Sequence, residues 1–443
     1  MTRLFRQRIT LNRTLDYLLH GHSLRALSLS LLAIGNFFLL YISSIALARK
    51  LSVSDFDDYS VALSMVTVLS TLSTLGLEKY VLRCLPVYQE REDWSHAHGF
   101  WRFSLRTIIL VSLGLVFLLS LTLSSTLTGQ QDDSHLAVIV LTSFLPVIAV
   151  VLFLVEVATA NGAQIQAVVI YRFMMPANFF VLIHLIGLFE VPYTAIGVAI
   201  AFGLAWMLAL IAIFHLVRNS IPAKLWHAKP TYLSGKWLRR GMPFLFNSWM
   251  LSVIASSGVI ILELLFTSKS VVGIYAIAAQ TGTFIVLLAN TTNRFYIPLM
   301  SIYMERRDQR AMRHLSKHRL VVLGSLTVLF FAGVVIFGRE ILSWFGDDFR
   351  DGYEVLCLLA AGASVNALFS DSPYVLQFIK REREVFITTA IALLLNLMLT
   401  MLMGFWYQGV GAALGYALSM SLLFLTQRLL AAYHLKHYWL TRG

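Results

Sequence analysis

The sequence predicts an all-α integral membrane protein with about twelve transmembrane helices and both termini in the cytoplasm. Three observations support this fold class. The chain is 58% hydrophobic and only 13% charged, far from the composition of a soluble domain. It contains twelve apolar segments, most of which reach the roughly 20 residues that a helix needs to cross a bilayer. Its basic residues are concentrated in alternate loops.

The apolar segments are separated by short polar loops. They cover residues 24–47, 58–78, 100–127, 135–158, 163–189, 192–217, 242–266, 270–293, 318–338, 353–376, 384–406 and 409–433. None of them has the alternating pattern of a transmembrane barrel strand. The segments therefore predict a bundle of helices that crosses the membrane many times.

The distribution of Lys and Arg predicts which end of the bundle faces the cytoplasm. Thirty of the 35 Lys and Arg residues lie in or beside the N-terminal region, every second loop and the C-terminal region. Short cytoplasmic loops are enriched in these residues, so this basic side should be cytoplasmic. The charge lies in short loops with no nucleic-acid-reading module between them, which argues against a nucleic acid partner.

The chain divides into four regions. Residues 1–23 alternate basic and apolar side chains, which predicts either an amphipathic helix on the inner membrane surface or a solvated tail that only fixes the topology. Residues 24–217 and 242–443 would each form six helices. Residues 218–241 form a basic cytoplasmic linker between them.

The two halves contain a short internal repeat. The chain reads Tyr-Ser-Val-Ala from Tyr59 and Tyr-Ala-Ile-Ala from Tyr275, and each stretch leads through apolar sequence to an arginine shortly before a proline. Those arginines are Arg83 and Arg294, which this match places at equivalent positions. Transporters are often built from such repeats, with the substrate path between them.

Basic side chains within the apolar sequence are candidates for substrate binding, because charge is costly inside a bilayer. Lys79, Arg83, Arg172 and Arg294 are the candidates. Guanidinium groups around a cavity suit a phosphate or pyrophosphate, since each group can bind two oxygens. The alternative is that these long side chains extend to the inner membrane surface and bind no substrate.

Two acidic residues within the apolar segments are candidates for ion coupling. Glu263 lies a few residues from the outer end of the seventh segment, and Glu156 lies in the fourth. A carboxyl group in such a setting can take up and release a proton. The alternative is a simple ion pair, of Glu263 with Arg49 or of Glu156 with Arg172.

The sequence offers no sign of catalytic, metal or cofactor chemistry. It has no phosphate-binding P-loop, and its loops are too short for a nucleotide-binding domain, which argues against an ATP-driven pump. Cys84 and Cys357 lack metal-ligand spacing and are predicted near opposite sides of the membrane. We therefore expect no enzyme activity, no catalytic residue, no metal and no other cofactor.

The stretch 46–83 resembles the N-terminal signature of the polysaccharide (O-antigen type) flippases. In that family Leu-Ser-x-x-x-Phe-Gly-x-Tyr precedes a helix that ends in Leu-Gly-Leu and a basic residue. Here the chain reads Leu-Ser-Val-Ser-Asp-Phe-Asp-Asp-Tyr over 51–59 and Leu-Gly-Leu-Glu-Lys over 75–79. Asp57 replaces the glycine, which would weaken the turn. The family shares a superfamily with the multidrug and toxin extrusion transporters and the lipid II flippase.

The resemblance implies two six-helix lobes that form a V around a cationic cavity and work by alternating access. It implies that the substrate is an undecaprenyl-pyrophosphate-linked oligosaccharide, flipped across a bacterial inner membrane for the synthesis of surface polysaccharide such as O-antigen or exopolysaccharide. Its partners would be this lipid-linked oligosaccharide, membrane lipids, and the polymerase or glycosyltransferases of the pathway. Three alternatives remain: a cation-coupled drug exporter of the same superfamily, a twelve-helix sugar transporter, and a membrane glycan polymerase.

Overall fold

The protein is a bundle of membrane-length helices. The computed structural model describes residues 28–126, 133–188, 193–266 and 270–441. Within these ranges all regular secondary structure is helical, which confirms the predicted all-α fold. The region 1–23, predicted to lie on the membrane surface, is outside the described residues.

The first half of the chain forms nine helices within the described residues. They are α1 (Ser28–Lys50), α2 (Val53–Ser73), α3 (Leu77–Glu90), α4 (Trp94–Thr126), α5 (Asp133–Ser143), α6 (Leu145–Ala160), α7 (Gln164–Val169), α8 (Met175–Leu188) and α9 (Ala195–Ser220). A π-helical turn, Ile170–Met174, joins α7 to α8. Several of these helices are consecutive pieces of one span, separated by a break.

The second half follows through a short helix in the predicted linker. Its helices are α10 (Ala223–His227), α11 (Ser234–Leu265), α12 (Val271–Gly282), α13 (Phe284–Glu305), α14 (Gln309–Ser343), α15 (Tyr353–Phe369), α16 (Ser372–Phe378) and α17 (Glu382–Thr441), with a 3-10 helix at Asp347–Gly352. As in the first half, breaks divide some spans, such as that between α12 and α13.

These helices account for the twelve predicted segments. Eleven helical stretches in the described ranges are long and apolar enough to cross a membrane. The last of them, α17, contains two predicted segments, because Tyr407 and Gln408 leave the helical conformation. The second arm then packs against the first, where a Cβ added to Gly415 would lie 2.7 Å from the Thr400 nitrogen. The described ranges therefore contain twelve apolar spans, as the sequence predicted.

The outer surface of the bundle suits a lipid environment. Only 11% of the most apolar stretch of α4 is buried inside the bundle, against 67% for the span Asp347–Phe378. Leu110 and Phe117 on α4, and Leu329 on α14, are each about 70% exposed. A soluble protein rarely exposes so continuous an apolar surface. We conclude that α4 and α14 lie at the lipid-facing periphery.

The bundle has two different ends. The basic end carries the connections 91–93, 161–163, 306–308 and 379–381, which lie on one side because successive spans alternate in direction. The closed end carries residues 51–52, Ser270 and 344–346. The assignment of the basic end to the cytoplasm rests on the distribution of Lys and Arg and stays a prediction.

Helix ends at the basic end reveal the register of the internal repeat. After the second span, the Asp93 N–H donates to the Tyr88 carbonyl at 2.8 Å, and after the eighth span the Asp308 N–H donates to the Tyr303 carbonyl at 3.0 Å. The residue before each aspartate has a positive φ, of 54° and 59°. Tyr303 follows Tyr88 by 215 residues, and Asp308 follows Asp93 by the same number.

This register changes which residues are equivalent. Arg294 follows Lys79 by 215 residues, so Lys79 is its counterpart, and Arg83 corresponds to Pro298. The sequence match had aligned the two arginines on the prolines that follow them. Arg83 lies three residues before its proline and Arg294 four before its own, so the two positions look alike. In the register of 215 residues, however, they differ by four residues, which is about one helical turn. The predicted equivalence of Arg83 and Arg294 is therefore wrong.

The fourth and tenth spans repeat in the same way. The Ala163 N–H donates to the Ala158 carbonyl at 2.9 Å, and the Arg381 N–H donates to the Leu376 carbonyl at 2.8 Å. Arg381 follows Ala163 by 218 residues. In this register Tyr374 is the counterpart of Glu156.

Candidate functional site

A cavity of about 600 Å³ lies between the two halves of the chain. Helices α1, α2, α8 and α9 line it from the first half, and α11, α12, α15 and α17 line it from the second. Its described lining carries no charged side chain. Apart from the indole N–H of Trp206, the polar side-chain groups are hydroxyls and amides, on Asn36, Ser44, Tyr59, Ser60, Ser64, Thr67, Tyr171, Tyr275, Gln280, Thr283 and Tyr416. Such groups both donate and accept hydrogen bonds, as sugar hydroxyls do.

Aromatic contacts between the halves close the cavity at one end. The Tyr41 ring packs edge-on against Phe345 with 5.2 Å between the centroids, and Phe56 packs against Phe349 at 5.8 Å. The Tyr41 hydroxyl also shares a 3.0 Å hydrogen bond with Thr281 Oγ1. All four aromatic side chains are buried. The closed end is therefore sealed by an apolar layer.

Asp57 adds a polar contact to this seal. Its carboxylate accepts hydrogen bonds from the backbone N–H groups of Ser270, at 2.6 Å, and Gly273, at 2.8 Å. Both lie at the start of α12, where free N–H groups and the helix dipole favour a negative charge. A side chain at position 273 would be excluded, since a Cβ there would lie 2.4 Å from Asp57 Oδ1. A residue of the first half thus caps a helix of the second.

The position of Asp57 also corrects an expectation from the sequence. The replacement of the family glycine was expected to weaken a turn, but residue 57 lies inside α2, which begins at Val53. Asp57 is only 2% exposed. Its carboxylate contributes to contact between the halves rather than to a local turn.

Glu263 lies near this contact. It is half-buried in the last turn of α11 and is close enough to Asp57 to interact with it electrostatically. Arg49, the ion-pair partner suggested by the sequence, donates its Nε hydrogen to the Trp344 carbonyl at 2.6 Å. The candidate coupling carboxyl therefore lies beside the residues that close the cavity.

Lys79 and Glu156 form an ion pair on the side of the basic end. The Lys79 ammonium contacts Glu156 Oε1, with 44% of the lysine side chain and 19% of the glutamate side chain exposed. Lys79 also interacts electrostatically with Tyr171, which lines the cavity. The sequence had suggested Arg172 as the partner of Glu156, and the structure assigns Lys79 instead.

Arg172 lies in a π-helical turn that Pro176 explains. Pro176 has no N–H to donate to the Arg172 carbonyl four residues earlier, and its ring would collide with that carbonyl. The helix widens over this turn, and the Met175 N–H donates to the Ile170 carbonyl instead. Such turns frequently mark functional sites. Here the turn carries both Tyr171 and Arg172 at the edge of the cavity.

Arg294 approaches Arg172 from the other half of the chain. It lies eleven residues beyond the cavity residue Thr283, which places it about 16 Å further along the span towards the basic end. It is half-buried and interacts electrostatically with Arg172 and Tyr374. Two guanidinium groups held near each other repel, so an anion between them would relieve the repulsion and accept hydrogen bonds from both. We call Lys79, Arg172 and Arg294 the cationic mouth.

Arg83 stands apart from the cationic mouth. It lies one helical turn beyond Lys79 and is exposed, with its guanidinium 4.8 Å from the centroid of the Phe244 ring on α11. A cation over an aromatic face is stabilised by the ring quadrupole. Of the four predicted binding residues, the structure brings three to the mouth and places Arg83 in a contact between α3 and α11.

A buried hydrogen-bond network that the sequence did not predict holds Asn293, the residue before Arg294. Arg319 on α14 is 2% exposed and pairs with Asp371 at 2.9 Å. Its guanidinium also donates to Asn293 Oδ1, to the Leu368 carbonyl in the last turn of α15, and to Ser370 Oγ at the break between α15 and α16. Asn293 precedes Arg294, so the network fixes the rotation of α13 and thereby aims Arg294. The sequence signal that could have indicated this network is the position of Arg319 within the apolar ninth segment.

We expect Arg319→Met to destabilise the protein by about 3–5 kcal/mol, because it leaves the buried Asp371 carboxylate without its charged partner. The unfolding temperature in detergent would measure this loss. Arg319→Met/Asp371→Leu removes both charges and should regain part of the stability. A single variant as stable as the wild type would contradict the assigned role.

The described residues hold no group of three or more His, Cys, Asp or Glu that could bind a metal ion. Both cysteines are free thiols, with Cys84 buried and Cys357 half-buried. The candidate site is therefore built from the cavity, its closed end and the cationic mouth. Among the residues that the structure describes there, nothing resembles a nucleophile with an adjacent base.

Comparison with known families identifies the chain. A profile of the family described as polysaccharide biosynthesis protein matches residues 25–304, more than half of the sequence. The chain belongs to this family. The range matched to the polysaccharide biosynthesis proteins contains Asp57 and the cationic mouth, whereas Arg319 lies beyond it. A comparison with curated protein sequences finds no match.

Solved structures similar to this polysaccharide biosynthesis protein are membrane transporters. An inward-facing MATE family multidrug resistance transporter of the MOP superfamily has a TM-score of 0.75 at 12% identity, over 94% of this chain and 100% of that one. The lipid II flippase MurJ, in an inward closed conformation, has a TM-score of 0.66 at 16% identity, over 94% and 93%. A point mutant of the Vibrio cholerae MATE transporter VcmN has a TM-score of 0.63 at 13% identity, over 96% of this chain and 99% of that one. These likenesses show a MATE-like fold, as the sequence resemblance implied.

Proposed function

We propose that this protein is a flippase that moves an undecaprenyl-pyrophosphate-linked oligosaccharide from the cytoplasmic to the outer leaflet of a bacterial inner membrane. The observation that carries the proposal is the electrostatic interaction of Arg172 and Arg294, from opposite halves, on the basic-end side of an uncharged cavity rich in hydroxyl groups. The family description, polysaccharide biosynthesis, and the shared fold with a lipid II flippase support it.

The site offers each part of such a substrate a matching environment. Arg172 and Arg294 can each bind two pyrophosphate oxygens through the fork of the guanidinium group. The first sugars would occupy the cavity, whose volume lies within the range of known ligand sites. The lipid tail stays in the bilayer. No covalent bond changes, so the movement needs binding and release without catalytic residues or a cofactor.

The proposed movement uses two lobes, residues 24–217 and 242–443, joined by the linker 218–241. With the basic end in the cytoplasm, the structure corresponds to a state that is closed to the outside. Delivery to the outer leaflet then requires that Asp57 leave the start of α12 and that the aromatic layer separate. The cationic mouth would close behind the headgroup.

The competing function in this fold is the export of cationic drugs. A site for a cationic molecule would need carboxylates or accessible aromatic faces without nearby positive charge. The described lining of the cavity contains aromatic rings but no Asp or Glu, whereas Arg172 and Arg294 supply positive charge on the side of the cavity towards the basic end. This charge distribution favours an anionic substrate.

Deletion of the gene tests the proposed function in cells. We expect lipid-linked oligosaccharide to accumulate in the cytoplasmic leaflet and surface polysaccharide to disappear, and a plasmid-borne copy to restore both. Thin-layer chromatography of extracted lipids and gel analysis of surface polysaccharide would measure the two effects. Unchanged surface polysaccharide in a strain with no second flippase gene would contradict the proposal.

We propose Glu263 as the ion-coupling residue, because it interacts electrostatically with Asp57 at the contact that must open. Glu263→Gln should then transport at a rate that no longer responds to collapse of the proton gradient. Wild type should slow several-fold under the same treatment. Surface polysaccharide synthesis after addition of an uncoupler would measure both rates. Equal sensitivity of the two proteins would remove Glu263 from coupling and leave Glu156 as the remaining candidate.

A further inference from the structure

The two halves present equivalent cations in different electrostatic settings. The register of the repeat pairs Lys79 with Arg294 and Glu156 with Tyr374. In the first half the Glu156 carboxylate forms an ion pair with Lys79. In the second half the corresponding side chain near Arg294 is the phenol of Tyr374, which carries no formal charge. The mouth is therefore asymmetric: Arg294 is free to attract an anion, whereas Lys79 is already occupied.

We propose that Glu156 is an internal competitor that holds Lys79 until an anionic headgroup displaces it. The inference rests on the proposed function and specifies how the site engages its substrate. A pyrophosphate first binds Arg172 and Arg294, and Lys79 then exchanges the Glu156 carboxylate for a phosphate oxygen. Lys79 interacts electrostatically with Tyr171, the residue before Arg172, so an anion at the proposed headgroup position is within electrostatic range of its ammonium.

The Lys79–Glu156 pair has the properties of a contact that can be exchanged. Both side chains are partly exposed, at 44% and 19%, so water screens their attraction. The Arg319–Asp371 pair of the same bundle is 2% and 6% exposed and fixed by further hydrogen bonds. A lysine ammonium on a flexible stem also changes partners more readily than a guanidinium fork.

A second carboxylate favours the release of Glu156. Glu78 is 7% exposed and interacts electrostatically with both Lys79 and Glu156. When it is ionised it repels the Glu156 carboxylate, and it remains next to Lys79 in the chain after the exchange. An ionised Glu78 thus compensates the charge of Lys79 both with and without the headgroup.

The exchange gives the substrate a means to draw the halves together. Without an anion, Arg172 and Arg294 repel each other across the mouth, and Lys79 is paired within its own half. A pyrophosphate bound to Lys79 and Arg172 on one side and Arg294 on the other bridges the two halves. Closure of the basic end would thereby be favoured only when the headgroup is present.

Calorimetric titration of the purified full-length protein with inorganic pyrophosphate tests the competition. Glu156→Gln removes the competing charge and should tighten binding about tenfold. Lys79→Ala should weaken binding less than threefold in the wild-type background but about tenfold in the Glu156→Gln background. Glu156→Asp keeps the competitor and should bind as the wild type does. Glu92→Gln, which removes the carboxylate of the exposed Lys224–Glu92 pair at the same end, is the matched control.

The outcomes separate this inference from the proposed function. Equal costs of Lys79→Ala in the two backgrounds, or no gain in Glu156→Gln, would overturn the competition while leaving the flippase proposal intact. Absence of pyrophosphate binding to the wild type, or unchanged binding in Arg294→Ala, would overturn the flippase proposal and this inference with it. Glu156→Ser is a second neutral variant if Glu156→Gln does not fold.

Discussion

Cells whose only copy of this protein carries Arg294→Ala should lose most of their surface polysaccharide while the protein still inserts normally. Arg294 is the second half's contribution to the cationic mouth, and no carboxylate among the described residues pairs with it there. A hydrogen bond to a charged group contributes about 1.5–3 kcal/mol, which corresponds to about a ten- to hundredfold loss of affinity. Gel analysis of surface polysaccharide and immunoblotting of the membrane fraction measure the two parts of this prediction.

Two further variants make the Arg294 result specific. Arg294→Lys keeps the charge without the fork and should retain partial export, because bidentate binding of phosphate needs the guanidinium geometry. Arg313→Ala removes an exposed arginine from α14 at the same end of the bundle and should export normally. Normal export in Arg294→Ala would contradict the binding role, and a defect of equal size in Arg313→Ala would point to topology or net charge instead.

Asp57→Ala should open the closed end of the cavity to the outside. It removes two hydrogen bonds that the carboxylate accepts from backbone N–H groups at the start of α12, which together contribute about 3 kcal/mol or more. A difference of that size shifts an equilibrium between two conformations by about a hundredfold or more. Ser64→Cys on the cavity lining, in a chain without Cys84 and Cys357, would report the change through labelling of intact cells with an impermeant maleimide. We expect labelling to be about ten times faster, or more, in Asp57→Ala.

Asp55 provides the matched control for Asp57. It lies on the same turn of α2, and its carboxylate also accepts a hydrogen bond from a helix start, the Ala195 N–H at 3.1 Å. Both partners of that bond belong to the first half, so Asp55→Ala should leave labelling at position 64 unchanged. Unchanged labelling in Asp57→Ala would show that the aromatic layer alone holds the closed end. Equal acceleration in both variants would show a general loss of structure.

The parts of the fold that local composition determines could be predicted from the sequence. The length of each apolar segment depends only on consecutive residues, so the twelve spans were predicted, including the two that α17 joins across Gln408. The embedded basic residues Lys79, Arg172 and Arg294 were predicted for the same reason, because a charge within apolar sequence is visible without any partner.

The pairing of residues between distant spans could not be predicted in this way. The sequence suggested Arg172 as the ion-pair partner of Glu156. The partner in the structure is Lys79, because the packing of α3 against α6 brings these two side chains together. The register of the repeat depends on where helices end, so a match on prolines placed Arg83 opposite Arg294. Asp57 resembled a weakened turn because its partners, the N–H groups of Ser270 and Gly273, are 213 and 216 residues away in the chain.

Direct measurement of flipping tests the central claim. Purified protein would be reconstituted into vesicles that contain a fluorescent undecaprenyl-pyrophosphate-linked oligosaccharide, and loss of accessibility to an external quencher would report movement between leaflets. We predict rapid movement with the wild-type protein and movement at the protein-free rate with Arg172→Ala/Arg294→Ala. Movement at the wild-type rate in the double variant, or none with the wild-type protein, would contradict a pyrophosphate site formed between the two halves.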